Sequence, residues 1–358
     1  PELLDRWVRR LELNHDLMAI PRGQVLHISA GNVFVGAVDS LVSGIITKNV
    51  NLLKMSGSDP VFPILFVESL READPENLIW KNQAVLQWKG GDSAIEKPLL
   101  NAGFTVVFWG GSEALKSVRS QIGLDSKLIE NGPRYSFAIA EGGILKGEGA
   151  ISAFEGLALD ICRWDQQACS SPHVVYVIDN DKSSSFFLMD QLANRLEILS
   201  QELPLGLLEF DEKVEIRKVR ELAIMAEING KGRFLGPPRF DFSLVFEDDP
   251  AFKISCLNRT LFIKRVRSFD EIITQIFPIS AYLQTVGILA PSPQKQIFEK
   301  KLLDAGAKRF TNWGGMSEGK DGAPHEGSFL LANLVNWVKI ESMNFLKRLD
   351  LLRITKTF

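Results

Sequence analysis

The chain has 358 residues, 45% of them hydrophobic and 24% charged, with a net charge of -3 at pH 7. That length exceeds what one core usually supports and predicts two domains of ordinary globular composition, while the small negative balance gives no electrostatic reason to expect nucleic acid or an anionic membrane as partner. No apolar run reaches the length of a membrane span, and three cysteines argue against a disulfide framework and for a reducing compartment, by default the cytoplasm.

The sequence opens on Pro1 rather than Met, so any upstream segment is invisible in it. Up to Pro21 the spacing of Leu3, Leu4, Trp7 and Leu11 predicts a helix. Val25 to Ile28 is a short apolar run ending in Ser29-Ala30-Gly31-Asn32, which reads as a strand entering a turn. Small and apolar residues from Val33 to Ile46 predict a helix packed tightly on a sheet. Asn51 to Met55 reads as the next strand, followed by Ser56-Gly57-Ser58-Asp59-Pro60, where Asp59 is the expected N-cap and Pro60 the first residue of a helix running to about Ala73. Asn82 to Trp88 and Phe104 to Trp109 are further strands, and Gly110-Gly111-Ser112 opens a helix to about Gln121. Strands alternating with helices predict a doubly wound parallel sheet, with the loops after Ile28, Met55 and Trp109 on one edge.

The second half begins with Lys127 to Pro133, a strand at Tyr135 to Ala140 and a helix from Ile151 to Trp164. That helix runs into Asp165-Gln166-Gln167-Ala168-Cys169-Ser170-Ser171-Pro172, and the β-rich run His173 to Ile178 follows. Helical patterns at Ser185 to Leu199 and Lys213 to Asn229, strands at Phe242 to Phe246 and Leu261 to Val266, and a βα repeat from Ser268 to Ala305 come next. The Gly-rich turn Thr311 to Met316 and a loop to Gly327 precede a last expected helix, Ser328 to about Leu352.

Neither G-x-G-x-x-G nor G-x-x-x-x-G-K-[ST] occurs. Gly110-Gly111-Ser112 at a strand-to-helix turn can hold a phosphate on backbone N–H groups, or can be a structural turn only. Asn32 is either an amide donor to a developing oxyanion or a turn residue, and Glu130 either a general base or a solvated acid. Four scattered histidines and no matching Cys/His spacing give no metal site. Cys169 has small neighbours that leave room for a substrate, whereas Cys162 sits in an apolar helical run and Cys256 in a packing context. The helix before Cys169 points its C-terminal end at it, so its activation requires positive charge, donors or a base from elsewhere. His173, four residues on, starts a strand and points away.

Taken in order, six segments resemble the aldehyde dehydrogenase superfamily, and within it the acyl-CoA reductase (LuxC-type) branch. They are His27 to Val33, Asn51 to Lys54, Phe108 to Ser112, Glu130 to Pro133, Asp165 to Pro172, and Gly322 to Gly327. The resemblance implies an aldehyde-dehydrogenase-like α/β fold of two doubly wound parallel-sheet domains. Residues 1–145 would bind the cofactor, 146–315 would carry the catalytic cysteine, and 316–358 would form a C-terminal loop and helix returning to the first domain. It implies Cys169 as acyl-accepting nucleophile, Asn32 with the Cys169 backbone N–H as oxyanion hole, and Glu130 as the water-activating glutamate of oxidising members. Lys54, with Ser56 and Gly57 beside it, would hold the adenosine ribose, and Gly110, Gly111 and Ser112 the pyrophosphate. The superfamily's usual acid, three residues after the lysine, is replaced by Gly57; a carboxylate there would repel a 2′-phosphate, so NADPH is expected, with NADH also usable. The implied reaction is NADPH-dependent reduction of acyl-CoA or a carrier-bound, fatty acyl thioester to the aldehyde. The alternative is NAD(P)-dependent oxidation of aldehydes to acids, and a third reading is a catalytically silent subunit. An acyl-transferring partner enzyme and a homo-oligomer belong to the same expectation.

Overall fold

The computed structural model describes residues 8–10, 15–319, 323–325 and 327–340. Two compact units divide the chain, one formed by residues 1–132 together with 327–358, the other by residues 133–326. Two N-terminal strands, β1 (Val8–Arg10) and β2 (His15–Pro21), come first. The core of the first unit is a five-stranded parallel sheet ordered β5-β4-β3-β6-β7. Its strands are β3 (Gln24–Ile28), β4 (Val50–Lys54), β5 (Gln83–Leu86), β6 (Thr105–Trp109) and β7 (Lys127–Asn131). Helices Val35–Ile46, Phe62–Ala73, Ser93–Leu100 and Ser112–Gln121 make the crossovers. Alternation along β3 and β6 sends Leu26, Ile28, Val106 and Phe108 to one face, and Val25 and Val107 to the other. A near-continuous apolar run is what a strand covered on both faces requires. Parallel pairing sets Ile28 opposite Lys54 and Phe108, and Phe108 opposite Glu130, so these strand ends share one carboxyl edge as expected. The helix expected to start at Pro60 begins at Phe62, and Asp59 Oδ1 accepts the Phe62 N–H at 3.3 Å.

The second unit is a seven-stranded sheet ordered β10-β11-β12-β9-β8-β13-β14. It consists of β8 (Tyr135–Glu141), β9 (Pro172–Ile178), β10 (Gly232–Leu235), β11 (Ser243–Glu247), β12 (Thr260–Val266), β13 (Leu283–Leu289) and β14 (Arg309–Thr311). Only β10 runs antiparallel to its neighbour. Helices Ala150–Cys162 and Ser183–Glu202 cover one face through Phe154, Leu157, Leu188 and Leu192. Helices Phe210–Ile228, Phe269–Ile276 and Ser292–Asp304 cover the other through Ala223, Ile272 and Phe298. Both clusters are fed by the same central strands, with Val175 and Val177 facing one and Val174 and Tyr176 the other.

Two sequence expectations fail at the ends. Residues 15–21 form a strand, not part of a helix, and the expected last helix is a short turn, Leu330–Asn333, followed by β15 (Val335–Ile340). β2 and β15 pair antiparallel from Pro21 opposite Val335 to Asp16 opposite Ile340, and β1 adds to β2. Pairing over some three hundred residues of separation overrides local periodicity. Leu3, Leu4, Trp7 and Leu11, and residues 341–352 of the expected helix, lie outside the described residues.

Candidate active site

In the first unit the predicted residues gather on the carboxyl edge. Asn32 is exposed, in the bend between β3 and the helix Val35–Ile46. Gly31 is pressed against the turn after β4: a Cβ there would lie 1.8 Å from Ser58 Oγ and 2.3 Å from Ser56 Oγ, which are themselves 3.0 Å apart. The two turns therefore pack directly on each other, and only glycine fits. Lys54, 9% exposed at the end of β4, has its Nζ 5.6 Å from the Trp88 ring centroid, while its carbonyl accepts from the N–H and hydroxyl of Ser29. Gly57 is exposed, with no atom within 4 Å of where a Cβ would be. Gly110 backs onto the Phe108 ring; Gly111 faces open space at the start of the helix Ser112–Gln121, whose first turn has no side-chain cap. Uncapped N–H groups at a helix start form a site for an anion.

Behind this edge runs a buried hydrogen-bond chain with no signature in the sequence. Trp109 Nε1 donates to Ser40 Oγ at 3.2 Å, the Ser40 hydroxyl to His27 Nδ1 at 2.7 Å, and His27 Nε2 to Asn51 Oδ1 at 3.0 Å. Asn51 Nδ2 closes the chain on the Asn49 carbonyl and Gln83 Oε1. The tautomer follows from the Asn51 acceptor. Burial pulls His27 down to about 4, so it is neutral. Glu130, at the end of β7, is engaged by both the Nε and an Nη of Arg119, which holds its carboxyl below the usual carboxylate range.

In the second unit Cys169 lies in the turn entering β9, at the amino ends of the parallel strands. Its half-buried turn is fixed from below: the Ser136 hydroxyl on β8 donates to the Cys169 carbonyl at 2.8 Å and accepts the Thr285 N–H of β13 at 3.0 Å. Thr285 pairs with Arg309 of β14. The Arg309 guanidinium donates to the carbonyls of Gly315, Met316 and Glu318; burial lowers its affinity for the proton, opposed by the charges of Asp160, Glu318 and Cys169. The geometry thus puts a fixed guanidinium on the strand next to the one that bears on the Cys169 turn. Asp160 holds the turn over Arg309 by accepting from Gly314 N, Ser317 N and Ser317 Oγ. Neither Arg309 nor Asp160 stands out in the sequence: Arg309 lies 140 positions after Cys169, and Asp160 sits in an apolar helical run while holding a turn more than a hundred residues away.

The other cysteines differ. Cys162 is buried, its thiol pushed up to about 11, and burial also raises Cys256. His173 accepts the Ser255 N–H at Nδ1 beside the Tyr135 and Phe252 rings, and burial takes it to about 4. Of the segment 322–327, residues 322 and 326 lie outside the described residues. Among the described residues no three His, Cys, Asp or Glu side chains could jointly hold a metal, and no helix is long and apolar enough to cross a membrane.

The family model described as acyl-CoA reductase (LuxC) matches residues 1–337. The long-chain acyl-protein thioester reductase 2 of Photobacterium leiognathi is 31% identical over 343 residues, covering 95% of this chain and 68% of that protein. The long-chain acyl-protein thioester reductase of Photobacterium phosphoreum is 29% identical, covering 95% and 66%. Among solved structures, a glyceraldehyde-3-phosphate dehydrogenase from Methanocaldococcus jannaschii complexed with NADP superposes with a TM-score of 0.70 at 16% identity, covering 91% of this chain and 74% of that one. Aldehyde dehydrogenase 21 from Physcomitrella patens gives 0.70 at 13%, covering 91% and 70%. The fold is that of the aldehyde dehydrogenases.

Proposed function

We propose, from the premise that this chain belongs to the acyl-CoA reductase (LuxC) family, that it reduces a fatty acyl thioester to the aldehyde with NADPH through a thioacyl-cysteine. The direction rests on one observation: Glu130, the residue that an oxidising member would use to activate water, has its carboxylate tied into a two-point pair with Arg119. A carboxylate so held is a poor base, and hydrolysis of the thioacyl-enzyme is the step a reductase must suppress.

Cys169, as thiolate, attacks the thioester carbonyl. The Cys169 backbone N–H stabilises the oxyanion of the tetrahedral centre, and the family resemblance gives the Asn32 amide as its second donor. Its collapse expels the carrier thiol and leaves the acyl group on sulfur. When bound, the nicotinamide cofactor supplies the hydride for the thioacyl carbon. The same two donors stabilise the resulting thiohemiacetal oxyanion, and its collapse releases aldehyde and restores the Cys169 thiolate.

The residues present fit such a cofactor. Gly111 and Ser112, after Gly110, offer the uncapped helix start to a pyrophosphate; Lys54 and Ser56 border the ribose position, and Gly57 leaves room without negative charge for a 2′-phosphate. The names of the Photobacterium relatives support a long-chain acyl group carried on protein, which keeps an acyl-transferring partner within the proposal; a homo-oligomer is carried over from the resemblance alone. The test is a panel of acyl-CoA and acyl-protein thioesters of graded length incubated with NADPH or NADH. Aldehyde in proportion to NADPH consumed is expected. Acid formed from supplied aldehyde and NAD(P)+ at a greater rate would replace this reading with aldehyde oxidation.

A further inference from the structure

The turn ahead of Cys169 has an unusual backbone. Trp164, Asp165 and Gln166 have φ of 57°, 49° and 64°, three successive non-glycine residues in the left-handed region. Single visits there are uncommon for residues with a Cβ, and such conformations persist only where the surroundings impose them. A second run of the same kind, Leu257, Asn258 and Arg259 with φ of 62°, 51° and 60°, leads into β12. Side chains lock the two runs together. Arg259, 1% exposed, directs Nε and an Nη to Asp165 Oδ1 at 2.8 and 2.5 Å. Gln166 Nε2 donates to the Thr260 and Pro172 carbonyls at 2.9 and 2.7 Å, and Gln167 Nε2 to Asn258 Oδ1 at 2.9 Å. The second Asp165 oxygen accepts the Gly206 N–H, and Asn258 Nδ2 reaches Glu212 Oε1.

We infer that Arg259 and Asp165 are positioning residues for the nucleophile: their half-buried ion pair clamps the left-handed turn 164–166 onto the turn 257–259, and so sets where Cys169 stands. The inference rests on the reading of Cys169 as the acyl acceptor. Each part of the arrangement bears on the turn's position. The helix ending at Cys162 enters it through an abrupt backbone reversal, and Arg259 spans that reversal by also reaching the Cys162 carbonyl at 3.5 Å. Beyond it, only Gln167 and Ala168 separate the clamped turn from Cys169, whose own carbonyl is pinned to Ser136. The cysteine turn is therefore held at both ends, once by a hydroxyl and once by this pair. Small displacements of a reacting group cost on the order of 10²-fold in rate.

Two substitutions separate the clamp from the backbone. Asp165→Asn keeps a residue that tolerates the left-handed region and an oxygen for Gly206, but removes the charge that Arg259 grips. Asp165→Gly relieves the backbone and removes the grip entirely. Arg259→Ala, assayed with and without added guanidinium ion, tests the other partner, and circular dichroism with thermal melting selects folded variants. Expected for Asp165→Asn and Asp165→Gly is a fall in kcat of roughly 10- to 100-fold with KM within about twofold, the range for loss of a residue supporting a reactive group. The rate of iodoacetamide alkylation at Cys169 should change several-fold, and guanidinium should recover part of the Arg259→Ala loss. Folded Asp165→Gly with full kcat and wild-type alkylation at Cys169 would overturn the clamp, as would a defect confined to KM. Cys169→Ala is measured alongside: if it still forms the acyl-enzyme, the nucleophile reading falls, whatever the clamp variants do. Should Arg259→Ala not fold, the two Asp165 variants decide.

Discussion

Burial sorts the three cysteines. Cys162, with its thiol pushed up to about 11, has on the order of one thiolate in 10,000 at pH 7, and thiolate is the reactive form. Cys169→Ala is expected to abolish covalent acylation and aldehyde formation, whereas Cys162→Ala and Cys256→Ala keep most of both. Peptide mapping after incubation with labelled acyl thioester checks this, and label on Cys162 would sink the assignment. The small residues around Cys169 pointed to it in the sequence, and the helix end before it showed that activation requires positive charge, donors or a base from elsewhere. That Arg309, 140 positions later, belongs to the strand beside the one bearing on the Cys169 turn was illegible, because nothing local marks an arginine that a sheet carries there. Glu130 was legible as a carboxylate at a strand end, but its commitment to Arg119 was not, since the pair forms between a helix and a neighbouring strand. Glu130→Gln is therefore expected to retain a substantial part of the aldehyde-forming rate and to lose any slow thioester hydrolysis. Single-turnover assays with and without NADPH resolve the two, and complete loss of reduction in a protein that still acylates would give Glu130 a proton-transfer role.

At the level of elements, the first unit's strands and three of its four crossover helices follow their patterns, since each is a local apolar run bounded by glycine, proline or a polar turn; the helix Ser93–Leu100 was not expected. The misread elements are β2 and β15, where partners far apart in sequence impose a strand on stretches that look helical in isolation. β3 carries an element-level consequence that its apolar pattern hides. His27 is folded neutral at about 4 against an ordinary 6.5, so between these values the unfolded chain binds a proton that the folded one refuses. This contribution to stability is complete above about pH 6.5 and is lost as pH falls toward 4. The linkage gives a loss of about 2 kcal/mol between pH 7 and pH 5. His27→Gln should be less stable at pH 7, through the broken Ser40–His27–Asn51 chain, yet lose less on acidification than the parent. Denaturant titrations at the two pH values measure both, and an unchanged pH dependence would mean that His27 is not held neutral by burial.

On the scale of the whole molecule the two units carry their candidate residues at opposite ends of their sheets. The first presents Asn32, Lys54, Gly57 and Gly111 from the carboxyl ends of parallel strands, as doubly wound sheets usually do. The second presents Cys169 from the amino ends, where Ser136, Thr285 and the pair of left-handed turns give it support. Alternating strands and helices announce two such sheets, but no periodicity says which edge a unit uses; that depends on whether a turn precedes or follows its strand. The proposed division of labour predicts that substitutions in the first unit separate by step. Asn32→Ala should slow acylation and aldehyde formation alike, by roughly 10²–10³, because the same oxyanion forms in both. Gly57→Glu should leave acylation untouched, since that step needs no cofactor, and change only which cofactor serves. The site is exposed and open, so the side chain fits without disturbing the fold. A carboxylate about 4 Å from a 2′-phosphate, at an effective dielectric near 20, costs on the order of 4 kcal/mol per charge pair before screening by salt. NADH, with a hydroxyl in that place, gains an acceptor for it instead. The ratio of kcat/KM for NADPH over NADH is therefore expected to fall by at least tenfold in Gly57→Glu, and by less at high ionic strength. A ratio that does not move would put the ribose pocket away from the turn after β4, and with it the roles proposed for Lys54 and Ser56.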